Sequence, residues 1–150
     1  MKRINKFKME FDAISQNESF ARGVVGAFLA RLNPSIDEIN DVKTAVSEAV
    51  TNAIVHGYEG RENGIITLSV LIDGMLATIT IEDKGEGIPD IEKAKEPFYT
   101  TKPEEERSGM GFTVMESFMD SVEVRSGKKG TVVILKKELG KCFHMRRLSL

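Results

Sequence analysis

Three short blocks of polar and glycine residues follow one another in the chain, and the first contains a carboxylate and an amide. Glu48 and Asn52 are four residues apart in a predicted helix, so both side chains lie on one face and can reach the same ligand. A glutamate can deprotonate or orient a hydroxyl group. An amide oxygen is a hard ligand that suits Mg²⁺. In isolation, this spacing is more typical of two ordinary residues on a solvated helix face.

The second block, 83–87, begins at the end of a predicted strand. Its Asp83 carboxylate can accept a hydrogen bond from the exocyclic amine of adenine, and Gly85 and Gly87 allow the backbone to approach a flat base closely. Ile88 then offers an apolar surface near the ring. Taken alone, however, the block is better interpreted as an ordinary turn.

The third block, 109–112, opens a predicted helix, whose free N–H groups attract anions. The long loop before it contains five donors that suit phosphate oxygens: Thr100, Thr101, Lys102, Arg107 and Ser108. A loop of this length in a compact domain is usually functional or mobile. A P-loop motif and a dinucleotide-binding glycine motif are both missing from the sequence. A charged surface loop is the alternative, but three blocks in this order favour an ATP site.

Hydrophobic periodicity predicts the elements that position these blocks. Apolar residues at helical spacing predict helices at 17–32, from Ser35 to Gly57 and at 111–119. Capping-box patterns precede the first two helices, at Ser15-x-x-Glu18 and Ser35-x-x-Glu38. At the end of the second helix, His56 is favourable for capping alone.

Alternating residues predict the strands, at 6–11, 65–72, 75–82, 121–126 and 131–136. Asp73-Gly74 is predicted to be the two-residue turn between the second and third strands. The order β-α-α-β-β-loop-α-β-β predicts an α+β fold, a two-layer sandwich with a mixed, mostly antiparallel sheet and helices on one face.

Composition favours one domain. The chain has 150 residues, 41% of them hydrophobic, and a net charge of −2, which suits a single globular core and gives no reason to expect nucleic-acid binding. We expect the domain at 1–137 and a basic, disordered tail at 138–150. The one cysteine, Cys142, excludes an intramolecular disulfide. Neither a signal peptide nor an apolar stretch of bilayer length is evident, so we expect a cytoplasmic protein without a membrane partner.

The three blocks resemble those of the nucleotide-binding domain shared by histidine kinases, type II topoisomerases and MutL, the GHKL superfamily with the Bergerat fold. Residues 47–58 resemble its N box, 83–87 its first glycine box and 109–112 its second. Within the superfamily, 17–22, 98–103 and 106–112 resemble the anti-sigma serine kinases of spore-forming bacteria. That resemblance covers about residues 5–137.

The resemblance implies residue roles. Glu48 would be the catalytic base, Asn52 would bind ATP and Mg²⁺, and Asp83 would bind the adenine amine. Thr131 falls where the family has a threonine near adenine. Further nucleotide contacts would come from the glycine boxes and the loop: Gly85, Gly87, Ile88, Thr100, Thr101, Lys102, Arg107, Ser108, Gly109, Met110, Gly111 and Phe112.

The resemblance also implies partners. The sequence lacks the dimerisation helix with a phosphoacceptor histidine that a histidine kinase needs, so the target would be a serine of an anti-anti-sigma factor. The second partner would be a sporulation sigma factor of the sigma-F type. Arg22 would contact both, and the family is a homodimer. Two alternatives stay open: a nucleotide-switched sigma-binding module without physiological phosphoryl transfer, and a general-stress anti-sigma kinase.

Overall fold

The computed structural model describes residues 4–58, 64–85, 111–127 and 129–140. None of the helices that these residues form has both the length and the apolar character needed to cross a bilayer. The strands are β1 (Ile4–Asp12), β2 (Ile65–Asp73), β3 (Leu76–Asp83), β4 (Ser121–Gly127) and β5 (Gly130–Glu138). The helices are α1 (Gln16–Leu29), a 3-10 turn (Ala30–Leu32), α2 (Ile36–Asn52), a π-helical turn (Ala53–Gly57) and α3 (Gly111–Phe118).

The five described strands form one sheet in the order β1-β2-β3-β5-β4, and all four neighbouring pairs are antiparallel. Alternate residues of the inner strands, such as Leu68, Ile79 and Leu135, are fully buried. This period of two is expected where one face of a sheet is covered. Helices α1 and α2 contact the strands and each other, and α3 packs against α2. The predicted two-layer α+β fold is confirmed.

The two capping-box patterns behave differently. At Ser35 the backbone is extended, the side chain accepts a hydrogen bond from the Glu38 N–H at 3.1 Å, and the Glu38 carboxylate accepts one from the Ser35 N–H at 2.9 Å. At Ser15 the backbone is already helical and the side chain makes no capping bond. A helical residue cannot aim its side chain back at the N–H groups that follow it. The predicted capping box at Ser15 is therefore wrong.

The turn between β2 and β3 is shifted by one residue from the prediction. Asp73 pairs with Leu76 as part of the ladder, so the two loop residues are Gly74 and Met75 rather than Asp73 and Gly74. Gly74 has a φ of +64°. Glycine at the first position of a two-residue hairpin loop is typical of a type II′ turn, which matches the twist of the strands.

The packed structure continues past residue 137, where we expected the domain to end. Leu139 is fully buried in the core. The N–H of Gly140 donates a hydrogen bond of 3.2 Å to the Glu38 carboxylate, which thereby joins the start of α2 to the end of β5. A buried leucine and a satisfied buried carboxylate fix these residues in place. The remaining tail, including Cys142, lies outside the described residues.

Candidate functional site

Helix α2 carries Glu48 and Asn52, both half-buried, on one continuous helical face. Beside them runs an apolar stripe whose members Val46, Ala49 and Val50 are buried. Because this stripe packs against neighbouring helices, the direction of the polar face is fixed by the core. A carboxylate and an amide on a rigid helix can act together on one ligand.

The helix changes its hydrogen bonding immediately after Asn52. The turn at Ala53–Gly57 is π-helical, and the N–H of Tyr58 donates to the Ala53 carbonyl at 3.1 Å. Such turns are rare and often occur at functional sites. His56 lies in this turn and is half-buried. Strands β3 and β5 contact the same turn, which brings the end of α2 beside the second block.

Asp83 ends strand β3 and is 5% exposed. Its carboxylate accepts a hydrogen bond from the Gly85 N–H at 2.9 Å and a backbone hydrogen bond from Thr131. A carboxylate has about four lone-pair sites. Two backbone donors therefore leave Asp83 able to accept further hydrogen bonds from a ligand.

Burial raises the pKa of the Asp83 carboxyl group above its usual 3.8, because removal from water disfavours the charged form. The hydrogen bonds from Gly85 and Thr131 act in the opposite direction, and the neighbouring Glu82 adds a smaller upward contribution to the pKa. A buried carboxyl group with a perturbed pKa is typical of functional sites.

Strand β5 approaches the Asp83 turn very closely. Gly130 has a φ of +121°, and a Cβ at this position would overlap the Asp83 carbonyl oxygen and lie 2.7 Å from the Lys84 Cα. Only glycine fits such a backbone and such a space. The register then places Thr131 opposite Asp83. Thr131 is buried, and its hydroxyl lies 2.7 Å from that of Ser126 on β4.

The third block is described only from Gly111 onward. Gly111 and Phe112 begin α3 and are both buried, and α3 packs against α2. The other residues predicted at the ATP site from the glycine boxes and the loop lie outside the described residues: Gly87, Ile88, Thr100, Thr101, Lys102, Arg107, Ser108, Gly109 and Met110.

Arg22, the predicted partner contact, lies on α1, whereas the residues described above lie on α2, β3 and β5. Its side chain is 45% exposed and forms an ion pair of 3.6 Å with Glu18, one helical turn earlier. Nearby on the same helix, Phe20 is exposed, and a Cβ at Gly23 would meet no atom within 4 Å. This part of α1 is therefore an open surface.

Two further residues, neither of them predicted from the sequence, contact Thr131 or the turn at 83–85. Ser126 pairs with Thr131 across the β4–β5 hairpin, and the register of a two-residue loop between Gly127 and Gly130 would have predicted this pairing. The Tyr58 hydroxyl accepts a hydrogen bond from the Lys84 N–H at 2.8 Å. No local pattern predicts that contact, because its partners are distant in sequence.

Comparisons with known proteins agree with this geometry. The family model described as "Histidine kinase-like ATPase domain" matches residues 13–137. The chain is 60% identical over 135 residues to a protein of Clostridium beijerinckii named anti-sigma F factor, covering 89% of this chain and 94% of that protein. It is 56% identical over 138 residues to the anti-sigma F factor of Geobacillus kaustophilus, with coverages of 91% and 94%.

Solved structures share the fold at lower identity. The crystal structure of the RsbU and RsbW domains of a Mycobacterium tuberculosis protein matches with a TM-score of 0.66 and 20% identity, over 90% of this chain and 32% of that one. The catalytic domain of the histidine kinase ThkA matches with a TM-score of 0.58 and 18% identity, over 89% and 96%. The chain therefore belongs to the histidine kinase-like ATPase domain family, in the branch that contains the anti-sigma F factors.

Proposed function

We propose that the chain is an anti-sigma factor that inhibits a sporulation sigma factor of the sigma-F type and, as an ATP-dependent serine kinase, phosphorylates and inactivates the anti-anti-sigma factor. One observation carries this proposal: the buried Asp83, paired with Thr131 beside the end of α2, occurs in a chain 60% identical to an anti-sigma F factor. The proposal also implies a cytoplasmic protein, since sigma factors act on bacterial RNA polymerase there.

The base of ATP binds at Asp83, whose free lone pairs accept hydrogen bonds from the adenine amine. Thr131 adds a hydroxyl group at the same position, because the two residues are opposite each other in the ladder. Gly85 follows in the turn, and its N–H is already held by the Asp83 carboxylate. The purine therefore meets a rigid polar surface, which lowers the entropy cost of binding.

The phosphates extend toward α2, where the residue types fit Mg²⁺. Asn52 is a half-buried amide at the last α-helical position, and one protein oxygen is sufficient because Mg²⁺ commonly takes its other ligands from phosphates and water. When bound, the metal neutralises charge that develops on the transferred phosphoryl group. By the family resemblance, donors of the loop, Lys102 and Arg107 among them, would supply the phosphate contacts.

Glu48 is the general base. It lies one turn before Asn52 on the same face, so the serine hydroxyl that it orients would lie beside the phosphates that Asn52 and Mg²⁺ would hold. In the reaction, the serine oxygen of the anti-anti-sigma factor bonds to the γ-phosphorus, the bond to the ADP oxygen breaks, and Glu48 takes the serine proton. Phosphorylation adds about −1.5 to −2 charges to that partner, which weakens its rebinding to this acidic protein.

Partner recognition uses the open surface of α1 around Arg22. The guanidinium is exposed and already points along the helix toward Glu18, so a partner carboxylate can exchange with Glu18 at low cost. Exposed ion pairs of this type contribute little to folding stability. A homodimer presents two such surfaces, and the sigma factor and the anti-anti-sigma factor compete for them.

The base role is tested by Glu48→Gln, which keeps the size and polarity of the side chain. We expect ATP affinity to stay within about threefold, while the rate of serine phosphorylation falls about 10²–10⁴-fold, the usual contribution of a general base. Glu123→Gln is the matched control, because Glu123 is an exposed glutamate on β4 that pairs with Arg125. Undiminished phosphorylation by Glu48→Gln would exclude this residue as the base.

The partner surface is tested by Arg22→Ala against Arg125→Ala. Both arginines are exposed and paired with a glutamate, so the two substitutions remove the same charge at different places. We expect only Arg22→Ala to weaken sigma-factor capture and partner phosphorylation, with ATP binding unchanged. If both variants captured the sigma factor equally well, Arg22 would not be part of the interface. Capture without any phosphorylation by the wild type would instead favour a nucleotide-switched binding module.

A further inference from the structure

Tyr58 connects three segments that meet at the nucleotide site. Its hydroxyl accepts a hydrogen bond from the Lys84 N–H at 2.8 Å and donates one to the Ile65 carbonyl at 2.6 Å. Its own N–H closes the π-helical turn by bonding to the Ala53 carbonyl. The residue is 8% exposed. One side chain therefore joins the end of α2, the start of β2 and the turn after β3.

The tyrosine ring is held as firmly as its hydroxyl. A Cβ added at Gly64 would overlap the Tyr58 ring, so the backbone of residue 64 lies directly on the aromatic face. A side chain packed this closely has little rotational freedom. The hydroxyl is therefore presented to Lys84 in a fixed position.

Lys84 is the residue between Asp83 and Gly85, whose N–H donates to the Asp83 carboxylate. The Lys84 N–H is therefore the backbone donor in the middle of this turn. In addition, Gly130 of β5 packs against the Asp83 carbonyl and the Lys84 Cα. The turn is thus held by two contacts, the backbone of β5 and the tyrosine hydroxyl. Removal of the hydroxyl leaves a part-buried N–H without that partner and removes one of the two contacts.

We propose that Tyr58 is a positioning residue for nucleotide binding: its hydroxyl holds the Asp83–Gly85 turn in place and couples the base site to the end of the helix that carries Glu48 and Asn52. This inference rests on the proposed function, which assigns the adenine base to Asp83. It concerns ground-state binding of the base. Loss of the Tyr58 hydroxyl should therefore weaken ATP affinity and raise the KM for ATP, and leave kcat almost unchanged.

The test uses Tyr58→Phe, which keeps the ring on Gly64 and removes only the hydroxyl. The variant loses the hydrogen bonds to Lys84 and Ile65. Because the bond to the Lys84 N–H holds the turn, we expect the Kd and the KM for ATP to rise about tenfold, with kcat within about twofold. Ser35→Ala is the control for general destabilisation, since it removes a helix cap at the opposite end of α2. It should lower Tm without changing ATP affinity. Equal losses of affinity in both variants would mean that Tyr58 is merely structural.

A double-mutant cycle shows whether Tyr58 acts through the Asp83 turn. In an Asp83→Asn background, we expect Tyr58→Phe to weaken ATP binding less than about threefold, because residues acting as one unit are not additive. A full tenfold effect in that background would contradict the proposal. If the wild type bound no ATP, the proposed function itself would fail. If Asp83→Asn alone weakened binding and Tyr58→Phe did not, only the present inference would fail.

A measurement on the wild type covers the case in which Tyr58→Phe does not fold. The hydrogen bond to the tyrosine predicts that the Lys84 amide is protected from hydrogen exchange without nucleotide, at a level close to that of strand β3. Fast exchange at Lys84 in the nucleotide-free protein would show that the hydroxyl does not hold the turn, and it would overturn the inference.

Discussion

Replacement of Gly130 by alanine should destabilise the fold and disturb the proposed base site at the same time. The backbone of Gly130 has a φ of +121°, where a residue with a side chain costs about 1–3 kcal/mol. In addition, a Cβ would overlap the Asp83 carbonyl and lie 2.7 Å from the Lys84 Cα. Both neighbours are backbone atoms, which cannot rotate out of the way. Strand β5 must therefore move away from β3 at Thr131.

Two other glycines separate the contributions of backbone strain and overlap. Gly74 has a φ of +64° with no atom within 4 Å of a Cβ, so Gly74→Ala carries only the strain, about 1–2 kcal/mol. Gly23 lies in α1, with equally open space around it, and Gly23→Ala should stabilise the protein by about 0.4–1 kcal/mol. For Gly130→Ala we expect a loss of about 3–5 kcal/mol, at the upper end for one substitution.

Urea unfolding at equilibrium measures all three free energies of unfolding, and thermal unfolding should place the Tm of Gly130→Ala about 6–20 °C below the wild type for a chain of this size. Titration with ATP completes the test. Gly130→Ala should lose affinity, because Asp83 and Thr131 are no longer opposite each other, whereas Gly74→Ala should not. If Gly130→Ala were no less stable than Gly74→Ala, the close approach of β5 to the Asp83 turn would be refuted.

Three further predictions concern single residues. Because the pKa of Asp83 in the folded chain is raised above 3.8, its carboxyl group takes up a proton at a higher pH in the folded chain than in the unfolded chain. The free energy of unfolding should therefore increase as the pH falls from the folded-state pKa to the unfolded-state pKa. ATP affinity should weaken over the same pH window in the wild type, and Asp83→Asn should abolish this pH dependence. If the ATP affinity of Asp83→Asn still fell over this window, protonation of Asp83 would not be the cause. At neutral pH, Asp83→Asn should weaken ATP binding by about 10–100-fold without lowering the Tm of the nucleotide-free protein, and a lower Tm would mean that the buried charge stabilises the fold. Leu139→Ala should cost about 2–5 kcal/mol of unfolding free energy, the usual loss for a buried leucine, and a loss below about 1 kcal/mol would show that Leu139 is not part of the core.

Much of the fold is predictable from local patterns. The apolar stripe of α2 and the alternation in β2 and β3 correspond to the buried residues, because burial on one face requires these periods. The capping boxes are instructive, since the same pattern forms at Ser35 and fails at Ser15. The difference lies in the backbone, extended at Ser35 and helical at Ser15. At Ser15 the chain leaves β1 through a bond from the Ala13 N–H to the Gly64 carbonyl, a contact that no local pattern contains.

The site is less predictable than the fold. The pattern around Asp83 indicates a turn with glycines, and this turn is present. Its partners, Thr131 and Tyr58, reach it only because β3 pairs with β5 and because the π-helical turn ends against both strands. Strand order is a property of the whole chain, so residue spacing cannot give these contacts. The resemblance to a known family predicted Thr131 to lie near adenine, whereas the contact of Tyr58 with the turn is evident only in the folded structure.

The most direct test of the proposed kinase activity compares two labels in one reaction. The protein, Mg²⁺ and an anti-anti-sigma factor are incubated with ATP labelled either at the γ-phosphate or at the α-phosphate, with Asn52→Ala in parallel. We expect γ-label alone to appear on a serine of the partner, at a rate strongly reduced in Asn52→Ala. ATP binding without γ-label on the partner would contradict the kinase assignment, and α-label on the partner would show a different reaction.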